Sequence, residues 1–210
     1  MDLQSTYDRI AAHFSETREY AWPEVESFLA DRAVNRAIDI GCGNGRHTEL
    51  LADHASEAVG VDLSRGLLDE AVSRAQEREF AETAAFVHGN AVALPVQTGT
   101  VDLAVYVATL HHLSPRATRI ESLNELARVL KPDGVGLVSV WSTAHDRFDR
   151  TDGFDTTVEW TLPNGETVPR YYHIYSPEEF DADLADSDLE PLAVDVSSGN
   201  CYAVVSPIEP

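Results

Sequence analysis

The sequence predicts an α/β protein built on a doubly wound, mostly parallel sheet with helices on both faces. Short apolar strands such as "AVGVD" and "VDLAVYV" alternate with helical stretches, and a glycine-rich loop, "GCGNG", separates the first strand from its helix. Apolar strands without polar alternation, joined through helices, are typical of βαβ units whose sheet is buried on both faces. These observations together indicate a single domain spanning residues 1–210.

The elements follow in a regular order. Two amphipathic helices occupy residues 1–34, and Pro23 suits the first turn of the second helix. The predicted strands are then "RAIDI", "AVGVD", "AAFVH", "VDLAVYV" and "VGLVSVW", and the last of them follows a "KPDG" turn. Helices are predicted near Arg46–Asp53, Leu67–Glu79, Pro115–Leu130 and Pro177–Ala185. An irregular insertion or hairpin is expected at about 142–170, and "PLAVDVS" and "CYAVVS" complete seven strands.

Two helix starts carry clear cap signals. Ser114 and Ser176 each precede a proline, so each is predicted to cap the helix that follows. Glu179 is placed to complete a capping box with Ser176.

Charge is the strongest property of the composition. The chain has 36 acidic against 15 basic residues, a net charge of -21, and the acids are dispersed along it. A dispersed acidic excess keeps a protein soluble where salt screens its self-repulsion, so we hypothesise a halophilic source. In brine, phosphate contacts lose affinity steeply, so the lack of a basic face is weak evidence against an RNA partner.

The remaining bulk features favour a cytoplasmic protein. The N-terminus is polar and acidic and lacks the basic start and apolar run of a signal peptide. No apolar run is long enough for a transmembrane helix, so no membrane association is expected. Only Cys42 and Cys201 occur, which is no disulfide framework.

Polar residues at successive strand ends indicate which kind of ligand the glycine loop binds. Gly41 and Gly43 allow a tight turn and close approach of a ligand. Asp39, inside the strand, suits a cationic amine, and Asp62, which ends the next strand, is placed to accept both ribose hydroxyls. Asn90, after the third strand, carries an amide that can recognise an adenine edge. A ribose joined to a cationic amino acid describes S-adenosylmethionine.

Two other interpretations of this loop stay open. The glycines can be ordinary turns and the acids helix caps, with no ligand at all. A dinucleotide oxidoreductase is the rival cofactor-binding class, although its loop usually follows an apolar residue where Asp39 stands and receives a pyrophosphate.

"DIGCGNG", "GVDLS", "GNAVALP" and "RVLKPDG" resemble the successive motifs of the class I S-adenosylmethionine-dependent methyltransferases. The resemblance implies a Rossmann-like seven-stranded sheet. It also implies cofactor contacts from positions next to the strand ends and from the first helix, where a tyrosine hydroxyl closes over the cofactor. Besides the residues named above, these predicted cofactor contacts are Tyr7, Leu63, Ala91 and Val107.

The flanking segments narrow the resemblance. "YDRIAAHFSETREYAWPEVESFL", "LHHLSPRATRIESLNELARVLKP" and "RYYHIYSPEEF" together resemble the tRNA wobble-uridine methyltransferases, which methylate the carboxylate of a carboxymethyl group. The family usually shows paired arginines after "HHLS", whereas here Thr118 precedes Arg119. Relatives work with a small zinc-binding activator protein as a heterodimer, so this resemblance implies such a partner and a tRNA substrate.

A carboxylate nucleophile requires positioning rather than a strong base, and arginine holds carboxylates bidentately. The candidate clamps are Arg18, Arg116, Arg119 and Arg170, of which Arg18 and Arg170 lie beside the family-specific motifs. We predict Arg18, His112, Arg170 and His173 as the catalytic residues.

The paired histidines and the tyrosines near Arg170 have simpler interpretations as well. His111 and His112 can be one loop-packing and one solvated histidine, and no metal-like spacing accompanies them, so no metal site is predicted. Tyr171 and Tyr172 are adjacent in an extended segment, so only one of them can be core. The tyrosines of "RYYHIYSPEEF" can also simply pack the following helix onto the sheet.

Other functions remain alternatives to a tRNA methyltransferase. The same cofactor core serves small-molecule methyltransferases, for instance those acting on a quinone or another metabolite. A binding module or inactive homologue that retains the cofactor site is a third class, which the intact strand-end acids disfavour.

Overall fold

The computed structural model describes residues 2–208. Its six α-helices are α1 Leu3–Glu16, α2 Pro23–Leu29, α3 Arg46–His54, α4 Arg65–Glu77, α5 Arg116–Val129 and α6 Pro177–Ala185. Its strands are β1 Val34–Ile40, β2 Ala55–Asp62, β3 Ala84–His88, β4 Val101–Val107, β5 Leu130–Trp141, β6 Phe154–Thr161, β7 Thr167–Ile174, β8 Leu189–Ser197 and β9 Asn200–Pro207. A short 3-10 helix spans Leu110–His112.

Seven strands form one sheet in the order β3-β2-β1-β4-β5-β9-β8, which confirms the predicted α/β fold. The β1–β2, β2–β3 and β4–β5 pairs are parallel, whereas β9 runs antiparallel to both β5 and β8. The segment from 142 to 170 contributes most of a separate two-stranded sheet, β6-β7, so the predicted insertion is a hairpin.

The Cα positions divide the chain into two compact units. The first, here the N-terminal unit, runs up to Ala91 and includes Thr157–Arg170. The second, here the C-terminal unit, holds Val92–Thr156 and the residues from Tyr171 onward. The single domain expected from the sequence stays a prediction.

The N-terminal unit builds its core from strands β1 to β3 and the helices beside them. Ala37, Ile38 and Ile40 of β1 are almost fully buried. Ser64 caps α4 by accepting the Leu67 N–H at 3.1 Å, so this helix begins at Arg65 rather than at the predicted Leu67.

The C-terminal unit shows where the local signals were incomplete. Ser176 caps α6 as predicted, accepting the Glu179 N–H at 3.1 Å, but the Glu179 carboxylate turns to other partners instead of closing a capping box. Pro115, not Ser114, is the N-cap of α5. The "KPDG" turn is absorbed into β5, because Leu130 already pairs with Val101 before the register shifts.

Candidate functional site

The glycine loop between β1 and α3 is tied to the end of β2. The Gly41 and Cys42 N–H groups both donate to the Val61 carbonyl oxygen, at 2.7 and 3.1 Å. Gly41 and Gly43 have φ angles of 71° and 55°, in the left-handed region where glycine is favoured. The loop therefore has a fixed shape that depends on its glycines.

The Asp62 carboxylate fixes this loop by accepting hydrogen bonds from backbone N–H groups. Its Oδ2 accepts the Gly43 N–H at 2.9 Å, and its Oδ1 accepts the Ser64 N–H at 2.8 Å. Burial raises the pKa of Asp62, and the backbone N–H groups of Ser64 and Gly43 oppose that shift. Each carboxylate oxygen has a second lone pair, so the group can still accept a pair of ribose hydroxyls.

Asp39 presents an unsatisfied oxygen in the interior of the N-terminal unit. Its side chain is only 1% exposed, and Oδ2 accepts the Thr48 hydroxyl at 2.7 Å. Its Oδ1 is buried and has no hydrogen-bond partner among the described residues. Burial raises the pKa of Asp39 to about 7, against the lowering effect of Thr48, and the charge of Asp62 adds to the rise. A buried acceptor without a donor is costly, and the cationic amine of a ligand would satisfy it.

Hydrogen bonds that the sequence did not reveal join α1 to the start of α4, and join the segment after α1 to the glycine loop. Asp8 Oδ1 accepts the Ser64 hydroxyl at 2.6 Å and the Gly66 N–H at 3.0 Å. Asn44, which is 1% exposed, donates to the Arg18 carbonyl oxygen at 2.9 Å. A Cβ placed on Gly43 would lie 3.6 Å from the Phe14 ring, so the aromatic side of α1 borders the loop.

The other predicted cofactor contacts lie on different elements and differ in their exposure. Tyr7 lies on α1, half-buried, with its ring centroid 6.1 Å from that of Phe14. The Leu63 carbonyl oxygen lies 3.0 Å from His88 Nε2, and Asn90 is exposed just after β3, followed by Ala91. Val107 ends β4, in the C-terminal unit, and is 5% exposed. The roles of these residues stay predictions.

Arg18 and Arg170 meet on one aromatic ring of the N-terminal unit. The guanidinium carbons of Arg18 and Arg170 lie 5.4 and 4.9 Å from the Trp160 ring centroid. Trp160 is 9% exposed, and its indole N–H donates to His13 Nδ1 at 3.0 Å, which fixes the ring. Trp160 was missed because it stands alone in the insertion, where local pattern gives a tryptophan no particular role.

The other two candidate arginines are held by carboxylates of the C-terminal unit. Arg116 Nε lies 2.6 Å from Asp183, and its Nη2 lies 2.7 Å from Asp186. Arg119, which is 3% exposed, contacts Asp183 and Glu179 at 3.3 and 3.2 Å. Both arginines are therefore held in ion pairs within the protein, and the assignment of Arg18 and Arg170 as the substrate clamp stays a prediction.

The adjacent histidines are both buried, which contradicts the alternative in which one of them is solvated, and the substrate contact of His112 stays a prediction. His111 Nδ1 accepts the Trp141 N–H at 3.0 Å, and His112 Nδ1 lies 2.9 Å from the Tyr171 carbonyl oxygen. The His111 ring stacks on Tyr172, with centroids 4.9 Å apart. Tyr172 is 9% exposed and Tyr171 is half-buried, which confirms that only one of this pair is core.

His173 belongs to a network of acidic groups. Its Nδ1 lies 2.7 Å from Asp155 and its Nε2 lies 2.9 Å from Glu179. Tyr171 donates to the same Asp155 oxygen at 2.8 Å, and burial raises the pKa of its hydroxyl. The catalytic role of His173 stays a prediction, and these contacts favour a role in holding the network together.

Known proteins resemble this chain over different lengths. A family model described as a methyltransferase domain matches residues 38–138. A protein of Encephalitozoon cuniculi that is named as a methyltransferase is 31% identical over 207 residues, which cover 95% of this chain and 92% of that protein. The tRNA (carboxymethyluridine(34)-5-O)-methyltransferase ALKBH8 of Mus musculus is 36% identical over 141 residues, 67% of this chain. The chain spans 20% of the length of that mouse protein.

Solved structures share the fold at low sequence identity. The CcbJ methyltransferase from Streptomyces caelestis aligns with a TM-score of 0.81 over 100% of both chains, at 20% identity. A methyltransferase in complex with the Haloferax volcanii Trm112 methyltransferase activator aligns with a TM-score of 0.74 at 15% identity. That alignment covers 100% of this chain and 99% of the other.

The sheet order, the glycine loop and the strand-end acids define an α/β protein whose strand-end carboxylates suit a nucleoside cofactor. The unsatisfied oxygen of Asp39 and the acceptor capacity of Asp62 fit a ligand that joins a cationic amine to a ribose. The chain belongs to the S-adenosylmethionine-dependent methyltransferases, with the class I fold. Within residues 2–208, no helix is long and apolar enough to cross a membrane.

Proposed function

We propose that this protein methylates the carboxylate of a carboxymethyl group at C5 of the tRNA wobble uridine. The observation that carries the proposal is the pair of guanidinium groups, Arg18 and Arg170, held on the Trp160 ring in the unit that contains the cofactor loop. Relatives with 36% and 37% identity are named as tRNA carboxymethyluridine methyltransferases, which supports this substrate.

The chemistry needs little proton transfer from the protein. The cofactor, held by Asp39 and Asp62, would supply an electrophilic methyl group to a substrate oxygen and would leave as a neutral thioether. A carboxylate is ionised at neutral pH, so it requires no strong general base. The protein residues must mainly hold that carboxylate and orient it, which contributes through proximity.

Arginines stacked on an indole suit this task. Stacking uses the face of a guanidinium group, whereas a carboxylate is contacted bidentately through its planar edge. Arg18 Nη1 also donates to the Thr17 carbonyl oxygen at 3.0 Å. Trp160 is itself anchored by His13, so the stacked arginines do not depend on solvent-exposed ion pairs. Arg18 and Arg170 are therefore assigned to the substrate carboxylate, and His112 is kept as a predicted substrate contact.

Transfer of labelled methyl groups tests the proposal. Purified protein, with labelled S-adenosylmethionine, should methylate tRNA that carries unesterified carboxymethyluridine. Nuclease digestion and mass spectrometry should then place the label in the methyl ester at the wobble position. Parallel reactions with lipid and metabolite extracts serve as controls, and label confined to those extracts would overturn the tRNA assignment in favour of a small-molecule substrate.

A partner protein is part of the proposal. The structure of a Haloferax volcanii methyltransferase bound to the Trm112 activator has the same fold, which supports a small zinc-binding activator as the partner in a heterodimer. The outermost strands of the large sheet are β3 and β8, and β8 exposes Leu192, Val194 and Val196. Glutamate substitutions at Ala85 on β3 and at Val194 on β8 should identify the docking edge, because only one should abolish a one-to-one complex in size-exclusion chromatography.

A halophilic source and a cytoplasmic location are also part of the proposal. A net charge of -21 is consistent with a halophilic source, where salt screens repulsion between the acids. A tRNA substrate supports the proposed cytoplasmic location.

A further inference from the structure

Aromatic side chains form a continuous row in the C-terminal unit. The ring centroids of Trp141 and Phe148 are 4.9 Å apart, and those of Phe148 and Phe154 are 5.5 Å apart. Trp141, Phe148 and Phe154 are only partly buried. We call this row, with Arg147 and Arg150, the aromatic–arginine surface.

Two exposed arginines lie on this row of rings. The guanidinium carbon of Arg147 is 5.7 Å from the Trp141 ring centroid, and that of Arg150 is 4.2 Å from the Phe154 ring centroid. Neither arginine forms a salt bridge with a carboxylate among residues 2–208. The chain has 36 acids and 15 bases, and most of its other cations, such as Arg74, Arg128 and Lys131, are ion-paired. Asp146, Asp149 and Asp152 alternate with these two arginines in the sequence, yet both guanidinium groups lie on aromatic rings, which requires a reason.

The backbone beneath the surface is held in place. The Thr143 N–H donates to the Tyr175 carbonyl oxygen at 2.8 Å, and the Thr143 hydroxyl donates to the Thr151 carbonyl oxygen at 3.3 Å. A Cβ added to Gly199 would come within 2.5 Å of His145, so Gly199 leaves the room in which His145 packs beside Trp141. The rings are thus presented by a preformed support, which lowers the ordering cost of binding.

We propose that the aromatic–arginine surface binds a single-stranded segment of the tRNA substrate. This inference rests on the proposed tRNA substrate. Unpaired bases stack on aromatic rings and on guanidinium planes, and arginine edges meet phosphate oxygens. Each of the two guanidinium groups carries a charge complementary to an RNA phosphate.

Salt explains why this surface combines two kinds of contact. Phosphate contacts weaken steeply as salt rises, whereas stacking of bases on rings depends much less on ionic strength. An acidic protein adapted to brine would therefore gain from arginines that stack as well as pair. The proposal predicts that substituting these arginines changes both the affinity for RNA and its salt dependence.

The test compares Arg147→Gln and Arg150→Gln with wild type, using tRNA that carries carboxymethyluridine. The matched control is Arg32→Gln, because Arg32 also stacks on a ring, with its guanidinium carbon 4.6 Å from the Phe28 centroid, in a different unit. Each test variant should raise the Kd for tRNA about 3- to 30-fold, the range expected for losing one stacked arginine. The slope of log K against log salt should flatten by about 0.7 for each lost phosphate contact. Cofactor affinity and Tm should stay as in wild type.

Lysine variants and the wild-type reaction separate the outcomes. Arg147→Lys and Arg150→Lys should keep the salt slope but lose affinity, because lysine keeps the charge and loses the planar stack. If wild type methylates tRNA and the variants bind it equally well, the docking proposal is wrong and the proposed function stands. If wild type methylates no tRNA, the proposed function fails and the docking proposal fails with it.

Discussion

Asp62 accepts the Gly43 N–H at 2.9 Å, so the carboxylate at the end of β2 fixes the loop that follows β1. The same carboxylate accepts the Ser64 N–H at the start of α4. One side chain therefore shapes the glycine loop and also offers lone pairs to a ribose. The proposed cofactor contacts depend on this double role.

Asp62→Ala should weaken S-adenosylmethionine binding by about 1–3 kcal/mol, because the ribose hydroxyls lose their acceptor and the loop loses its anchor. Isothermal titration calorimetry measures the change. The control is Asp69→Ala, which removes an exposed carboxylate from α4 and should leave affinity unaltered. Equal affinity for the Asp62 variant and wild type would contradict the site assignment.

Cofactor affinity should fall as pH is lowered from 7.5 to 5.5. Burial raises the pKa of Asp39 to about 7, and a cationic amine binds its ionised form, so protonation of Asp39 competes with the cofactor. The same titration gives affinity at each pH, and Asp39→Asn should bind weakly with little dependence on pH. A flat profile for wild type would refute the amine contact.

The same group should affect the stability of the cofactor-free protein. The folded-state pKa of Asp39, about 7, lies above the value of 3.8 expected for an ordinary aspartate, so the folded state binds more protons than the unfolded state between these values. The Asp39 contribution to the free energy of unfolding should therefore increase as pH falls from above 7 towards 4. Denaturant unfolding of wild type and Asp39→Asn at several pH values isolates that contribution.

Arg170→Ala should reduce methyl transfer at least about tenfold, equivalent to about 1.4 kcal/mol of transition-state stabilisation. Cofactor affinity should stay constant because the predicted contact is with the substrate carboxylate. Arg170→Lys provides a second variant that keeps the charge but loses the planar contact with Trp160. Loss of cofactor binding in step with activity would instead make this arginine part of the scaffold.

His173→Ala should lower the free energy of unfolding by about 1 kcal/mol, since Asp155 and Glu179 lose their shared partner. Chemical denaturation measures this loss, and His173→Gln should recover part of it by restoring one hydrogen bond. An undiminished free energy of unfolding combined with a tenfold loss of methyl transfer would favour a catalytic role over this structural one.

The melting temperature should rise in molar KCl. At a net charge of -21, repulsion between dispersed acids destabilises the folded chain, and 1 M salt shortens the Debye length to about 3 Å. Thermal scans from 0.1 to 2 M KCl test this, with sucrose as a control that stabilises without screening charge. A Tm independent of KCl would count against a halophilic adaptation.

The predicted cofactor site rests mostly on local signals. Asp39, Gly41 and Gly43 follow one another within a single strand and its loop, and Asp62 ends the next strand. In a parallel sheet, the carboxyl ends of neighbouring strands meet at one edge, so chain order alone brings these groups together. The unsatisfied oxygen of Asp39 required the structure, since burial is a property of the packed interior.

The sequence by itself determined the α/β class, the strands and the acidic residues at their ends, because hydrophobic period and glycine conformation act over a few residues. Only the tertiary structure decided which groups the arginines contact. Arg116 and Arg119 pair with Asp183, which lies more than 60 residues away, whereas Arg18 and Arg170 come from opposite ends of the chain to stack on Trp160. A charged side chain takes whichever partner folding brings within reach, and no local pattern records that choice.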